Sequence, residues 1–359
     1  MMKVMVNGAT GLVGLSVVDA FREAGHEVRA SDRPGSNFGE LEKRGCEIIP
    51  AEINDPEALG KTVAGMDIVV HVAGVFDLGA SPALLEAVNH QGTRSVCEAA
   101  LKHAPNLTKF LQVATVGVYG KPVRCPCQED DPKRPRNDYE RSKYRGELAA
   151  FEYHKKHGLP VASIRPTLVY GPRAKYGHAM FIAVGSLIKA NGRDEIWGLK
   201  QGPKSSHVHV EDVGRAAALV ALSDKSVGKS YNVADPNPVD GPTFIRALME
   251  PLGLKVKEVI PFFGPAMTAT GAVAPYIPMS LFNPINKRLG KAWEKLCDQR
   301  GLTNELKLRL DRDWIGYTTA ANFYDVTRLK ELGMVWKWPD MVEGIKQTIG
   351  WYREHEWIP

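Results

Sequence analysis

No disulfide framework can be drawn from this chain. Its five cysteines, at 46, 97, 125, 127 and 297, are odd in number and show no paired spacing, which fits a reduced, cytoplasmic compartment. The one close pair, Cys125-Pro126-Cys127, lacks C-x-x-C spacing and neighbouring histidines, so it reads as loop, and no metal site is expected. Charge of one sign is not in excess: 46 Lys and Arg against 41 Asp and Glu leave +5, too mild at this length to imply nucleic acid. There is no low-complexity tract and no internal repeat. The N-terminal apolar run is one strand long before glycines begin, so no secretory signal is expected. One long uncharged stretch exists, Val259 to Asn286, but prolines 261, 265, 275, 278 and 284 interrupt it. They would leave backbone groups unsatisfied in lipid, so a spanning helix is not expected. What remains is ordinary: 359 residues, 44% hydrophobic and 24% charged, enough for one large or two modest domains.

The first fourteen residues organise what is there. Val4 to Val6 read as a short buried strand, and Asn7-Gly8-Ala9-Thr10-Gly11-Leu12-Val13-Gly14 turns into an apolar helical pattern at Leu15, Val17, Val18 and Phe21. Glycines on a strand–turn–helix joint let a backbone approach a pyrophosphate. Gly8 serves the tight turn, Gly11 removes a Cβ from the phosphate's path, and Gly14 lets helix pack on strand. A C-cap glycine, Gly25, ends the helix, and His26 to Ser31 form a second strand. Asp32 ends that strand, eighteen residues beyond Gly14. A carboxylate there accepts both ribose hydroxyls of an adenosine and repels a 2′-phosphate, favouring NAD. Arg33 follows and is the residue through which NADP would bind instead.

A third strand is expected at Glu47 to Ala51, then a helix capped by Asp55 with Pro56 in its first turn. Met66 to Gly74 reads as a fourth strand, apolar as a sheet covered on both faces requires. A helix runs from about Ser81 to His103, and Lys109 to Ala114 form a fifth strand. This alternation predicts an α/β fold, a doubly wound parallel sheet with right-handed crossovers. After the fifth strand come Thr115 to Gly120, and Tyr139-Glu140-Arg141-Ser142-Lys143 opens a helix reaching about His157. Four-residue spacing puts the Tyr139 hydroxyl and the Lys143 ammonium on one face. A phenol acting as base at neutral pH needs its pKa lowered by roughly 3 units, about 4 kcal/mol. A neighbouring ammonium and an oxidised nicotinamide are charges able to do this. Thr115, at a strand's C-terminal edge, can hydrogen-bond the reacting oxygen.

With those residues assembled, the sequence resembles an extended short-chain dehydrogenase/reductase of the NAD-dependent epimerase/dehydratase and 3β-hydroxysteroid dehydrogenase group. The resemblance runs through Gly8 to Gly14, His71-Val72-Ala73-Gly74, Asn89 to Thr93, Thr115 to Gly120, Tyr139/Lys143, Arg165-Pro166-Thr167 and His209 to Val213. It implies a Rossmann domain at 1–170 with 205–235, and a smaller, mainly helical substrate domain at 171–204 with 236–359. It implies Thr115, Tyr139 and Lys143 as catalytic residues, with Lys143 also on the nicotinamide ribose. The implied cofactor set is Gly8, Thr10, Gly11, Leu12, Val13, Gly14, Asp32, Arg33, Glu52, Ile53, Val72, Ala73, Gly74, Pro166 and Leu168. Glu52 stands where the group usually has Asp. A homodimer through helices near 84–103 and 140–157 is a further implication.

Within the group, nucleotide-sugar enzymes usually carry an Asn where Leu168 stands and an Arg where Ser205 stands. Arg165-Pro166-Thr167 instead resembles the hydroxysteroid and dihydroflavonol branches, as do Leu302-Thr303-Asn304, Tyr324 to Gly333 and Glu343 to Trp351. The uncharged stretch 259–286, followed by Lys287, Arg288 and Lys291, suits a lid over a lipid-like substrate or a surface at a bilayer boundary. Packing inside its own domain is the plainer alternative. The favoured expectation is oxidation of the 3-hydroxyl of a sterol-like lipid with NAD, with loss of carbon dioxide if the substrate carries a 4-carboxylate. Its rivals are a nucleotide-sugar epimerase or dehydratase, an NADPH-dependent ketone reductase, and a non-catalytic cofactor-binding scaffold.

Overall fold

The computed structural model describes residues 1–77, 79–264, 269–270, 273, 277–310 and 319–359. The chain divides into two compact units. The first takes Met1–Thr167, Val210–Ala234 and Asp325–Lys337, and the second takes Leu168–His209, Asp235–Tyr324 and Trp338–Pro359. Residues 205–209, expected with the first domain, thus fall in the second unit, and 325–337 return to the first.

In the first unit the strands are β1 (Lys3–Asn7), β2 (Glu27–Ser31), β3 (Glu47–Ile48), β4 (Ile68–His71), β5 (Lys109–Val113), β6 (Val161–Pro166) and β10 (Ser230–Val233). They form one parallel sheet in the order β3-β2-β1-β4-β5-β6-β10, the doubly wound arrangement read from the sequence. β3 and β4 are shorter than expected: Pro50 follows closely on β3, and Val72 and Ala73 give both their N–H groups to the Asn7 carbonyl rather than to a ladder.

Met5, Val69, Phe110 and Val161 pack with α3 (Pro56–Val63), α5 (Gly92–His103) and α6 (Asp138–His157) into one buried layer. Helix α1 (Leu12–Glu23) packs on α8 (Val210–Leu222), and the Ser16 hydroxyl donates to the Val210 carbonyl at 2.7 Å. The expected 81–103 helix is present with an interruption. Ser81 caps α4 (Pro82–Leu85), and Glu86–Gln91 widen into a π-helical turn before α5. The exposed apolar residues Leu84 and Leu148 lie on the two helices implied in dimerisation.

The second unit is mainly helical. Helices α7 (His178–Ala190), α9 (Gly241–Met249), 283–300 and 341–354 enclose a core that includes Tyr170, Ile182, Leu248, Trp293, Ile345 and Tyr352. Two short parallel pairs accompany them, β7 (Leu168–Tyr170) with β9 (His207–His209) and β8 (Glu195–Leu199) with β11 (Lys255–Ile260). Part of the uncharged stretch, 265–268, 271–272 and 274–276, lies outside the described residues. Val259, Ile260, Phe263, Val273, Leu281 and Ile285 are exposed and stand outside that core. Among the described residues no helix is long and apolar enough to cross a membrane.

Two glycines should respond oppositely to alanine. A Cβ at Gly14 would stand 2.1 Å from the Gly8 carbonyl oxygen, whereas one at Gly350, exposed in the 341–354 helix, would meet nothing within 4 Å. Thermal unfolding should show Gly14→Ala destabilised by about 1–3 kcal/mol or more and Gly350→Ala stabilised by up to about 1 kcal/mol.

Candidate active site

The glycine turn sits at the C-terminal end of β1, where the sheet order reverses between β1 and β4, the place at which doubly wound sheets bind ligands. Gly8 has φ +80°, and a Cβ there would stand 2.5 Å from the Ala73 nitrogen. Its own N–H donates to the Ser31 carbonyl at 2.8 Å, tying the turn to β2. Gly14 is required by the Gly8 carbonyl. Gly11 is different: a Cβ there would meet only the Gly8 oxygen, at an ordinary 3.4 Å. Among the described residues no atom demands a glycine at 11, so the open side of the turn suits close approach by a group from outside the chain.

Helix α1 reinforces this. Its N-cap, Gly11, has no side chain to cap it, and its first turn carries no acidic residue. The leading N–H groups at Leu12 and Val13 are therefore left to an anion. Thr10 is turned the other way, giving its N–H and its hydroxyl to Asp32 Oδ2 at 3.1 and 2.6 Å. Asp32 Oδ1 accepts the Arg33 N–H at 2.8 Å. Asp32 thus has a duty the sequence did not show, which is to hold the glycine loop. Oδ1 also accepts from the Ser36 hydroxyl at 3.4 Å, so its two oxygens, with about four lone-pair sites, are already met by donors, and a ribose hydroxyl would replace the long Ser36 bond. The Arg33 and Glu52 side chains are exposed, while Ile53 packs against Gly92. Val72 and Ala73 are half-buried at the β4 exit, Pro166 ends β6, and Leu168 opens the second unit.

Thr115 is extended and caps a 3-10 turn over Val116–Tyr119, its Oγ1 accepting the Gly117 N–H at 3.1 Å. Its hydroxyl proton is left to act on Tyr139, whose ionised form it favours. Asn137 caps α6, so Tyr139 stands in the helix's first turn and Lys143 one turn on. The Lys143 ammonium is buried and donates to the Val113 carbonyl at 2.7 Å. Tyr139 and Lys143 thus stand one turn apart on α6, and Thr115 acts on the phenol.

The electrostatics depart from expectation. Burial pushes the Tyr139 phenol up, Thr115 opposes that, and Glu140 adds to it. Burial drives Lys143 down to about 8, against a raising influence from Glu147. The Lys143 ammonium gives its hydrogen bond to the β5 backbone.

Several neighbours were not legible in the sequence. Phe76 sets its ring edge-on to Tyr139, centroids 5.0 Å apart. Asn89, in the π-helical turn, accepts the Val75 N–H at 2.8 Å and donates to the Ser142 hydroxyl at 2.9 Å. Ser142 donates to the Tyr139 carbonyl at 2.8 Å. Behind them, neutral His71, pushed down to about 3 by burial and by Lys143, bridges Asn7 and Thr93 at 3.0 and 3.1 Å. Asn89 to Thr93 had been marked only as a family stretch, with no signal for what each side chain touches.

A model of the NAD dependent epimerase/dehydratase family matches residues 4–234. The chain belongs to this family. Membership makes NAD the cofactor class and an oxidoreductase-type enzyme the activity class. The dTDP-glucose 4,6-dehydratase of Streptomyces griseus is 30% identical over 198 residues, 54% of this chain and 58% of that relative, so the match spans little more than half its length. The 3-beta-hydroxysteroid dehydrogenase of Mycolicibacterium neoaurum is 25% identical over 269 residues, 72% of each. The UDP-glucose 4-epimerase of Thermotoga maritima, solved with UDP-glucose, superposes with a TM-score of 0.72 at 22% identity, covering 98% of this chain and 99% of that one. Identity at that level supports the fold. The hydroxysteroid branch named from the sequence is thus a weaker likeness than the nucleotide-sugar one.

Gly11→Ala should leave unfolding within about 0.5 kcal/mol of the parent while weakening NAD binding, read by calorimetric titration. Asp32→Ala should lower affinity for NAD relative to NADP in the same titration. An unchanged ratio would exclude Asp32 from the ribose.

Proposed function

We propose that the chain oxidises a secondary hydroxyl with NAD, using Tyr139 as acid/base. The observation that carries this reading is the placement of Tyr139 and the buried Lys143 ammonium one turn apart on α6, with Thr115 acting on the phenol, in the same unit as the Gly8–Gly14 turn. Residues Gly8, Thr10, Gly11, Leu12, Val13 and Gly14 would take the pyrophosphate. Asp32, with Arg33, would take the adenosine ribose, and Glu52 and Ile53 the adenine. Val72, Ala73, Gly74, Pro166 and Leu168 would line the rest, with Lys143 on the nicotinamide ribose. Bound NAD would supply a hydride acceptor and, when oxidised, a positive charge in addition to that of Lys143. Tyr139 removes the hydroxyl proton, Thr115 fixes the oxygen, and Lys143 stabilises the phenolate.

For the substrate, the relatives' names favour a nucleotide sugar. A water elimination needs an acid and a base beyond Tyr139, and the residues beside Thr115 are Val116, Gly117 and Val118. Oxidation or epimerisation therefore suits this chain better than dehydration. A second reading, the 3-hydroxyl of a sterol-like lipid, is favoured by Leu168 and Ser205 where sugar-nucleotide enzymes carry polar contacts, and by the exposed apolar residues of 259–285.

NADH absorbance should rise with one of the two substrate classes, or a nucleotide sugar should be interconverted with bound NAD. Sterol turnover without nucleotide-sugar turnover would select the second reading. Tyr139→Phe should lower kcat at least about 100-fold with NAD affinity retained. Full activity in that variant would overturn the mechanism.

A further inference from the structure

Tyr139 and Lys143 are followed, at the same helical interval, by a third buried ionisable group. Glu147 lies one turn beyond Lys143 on α6, its side chain 2% exposed. It does not face solvent, and it is not a surface partner of Lys143. Its Oε1 accepts from the Arg165 Nε at 2.9 Å, the Ser163 hydroxyl at 2.6 Å and the Ser230 hydroxyl at 3.3 Å, and its Oε2 accepts from the Arg165 Nε at 3.2 Å. Arg165, 6% exposed, gives its Nη1 to the Tyr119 hydroxyl at 2.7 Å and the Glu129 carbonyl at 2.9 Å. Every neighbour thus fixes an ionised carboxylate in a dry layer between α6 and the β6–β10 edge. Buried ion pairs seldom repay their desolvation in stability, so the pair calls for another reason.

The reason lies along the helix. A fully buried ammonium is costly, and among the described residues the hydrogen bond of Lys143 goes to the Val113 carbonyl, not to a carboxylate. We propose that Glu147 is a positioning residue that keeps Lys143 charged, acting across one turn of α6 from a carboxylate anchored by Arg165, Ser163 and Ser230. Residues four apart on a helix are neighbours on one face, and Glu147 favours the lysine's charge. Neutral His71 lies on the β4 side, Tyr139 stands one turn back, and Glu140 is turned to Arg136. Lys133 lies on the Arg165 side, where it too feels Glu147. The inference rests on the hydride-transfer reading only for its catalytic consequence.

The test is the titration of Lys143 by NMR in 13C-lysine-labelled protein, assigned with Lys143→Arg, beside the pH profile of kcat. Glu147→Gln should move the Lys143 midpoint to lower pH by about one unit or more, and the alkaline limb of kcat should move with it. Glu147→Asp should restore both. If Glu147→Gln fails to fold for want of a partner to Arg165, Glu147→Gln/Arg165→Met leaves no unpaired buried charge and should shift the midpoint in the same direction by less, because the Arg165 cation is lost with it. An unshifted Lys143 midpoint in a folded variant, or failure of both variants to fold, would overturn the proposal and make Glu147 purely structural. The NMR arm needs no turnover, so an inactive parent would sink the hydride-transfer reading without deciding this one.

Discussion

The contact on which the rest depends is between two backbone segments, the carbonyl of Gly8 and the α-carbon of Gly14. Their approach leaves no room for a methyl group, and that is what allows a helix to start directly off the end of β1. The Asn7 carbonyl accepts two N–H groups from the exit of β4, and the Gly8 N–H donates to the end of β2. Three strands are thereby locked at one point. An uncapped helix N-terminus is left facing outward, and Asp32 is used to hold Thr10 out of its way.

Helix α6 obeys a different constraint. Its inner face carries a phenol, an ammonium and a carboxylate at four-residue intervals, and desolvation acts against the charged form of the phenol and the ammonium. The helix therefore depends on long-range partners. Val113 on β5 takes the ammonium, Arg165 on β6 takes the carboxylate, and Thr115 takes the phenol.

What the sequence revealed and concealed follows from distance along the chain. Gly8, Gly11 and Gly14, or Tyr139 and Lys143, announce themselves because their spacing alone places them together. Asp32 was legible as a strand-end carboxylate, but not as a clasp on Thr10, since that bond spans 22 positions. Phe76, Asn89 and the Glu147–Arg165 pair gave no local signal, because each is defined by a partner from another element. The π-helical turn at Glu86–Gln91 was invisible for a related reason, since its residues satisfy an ordinary helical pattern. The placement of 325–337 in the first unit depends on ties such as the Asp325 N–H to the Cys127 carbonyl, 198 positions back.

That return of the chain has an evolutionary corollary. The backbone passes between the two units at 167/168, 209/210, 234/235, 324/325 and 337/338, so each unit is stitched from three separate stretches. Neither can be exchanged by a single recombination event. No single cut in the backbone separates the units, so neither can be made as one continuous segment of the chain.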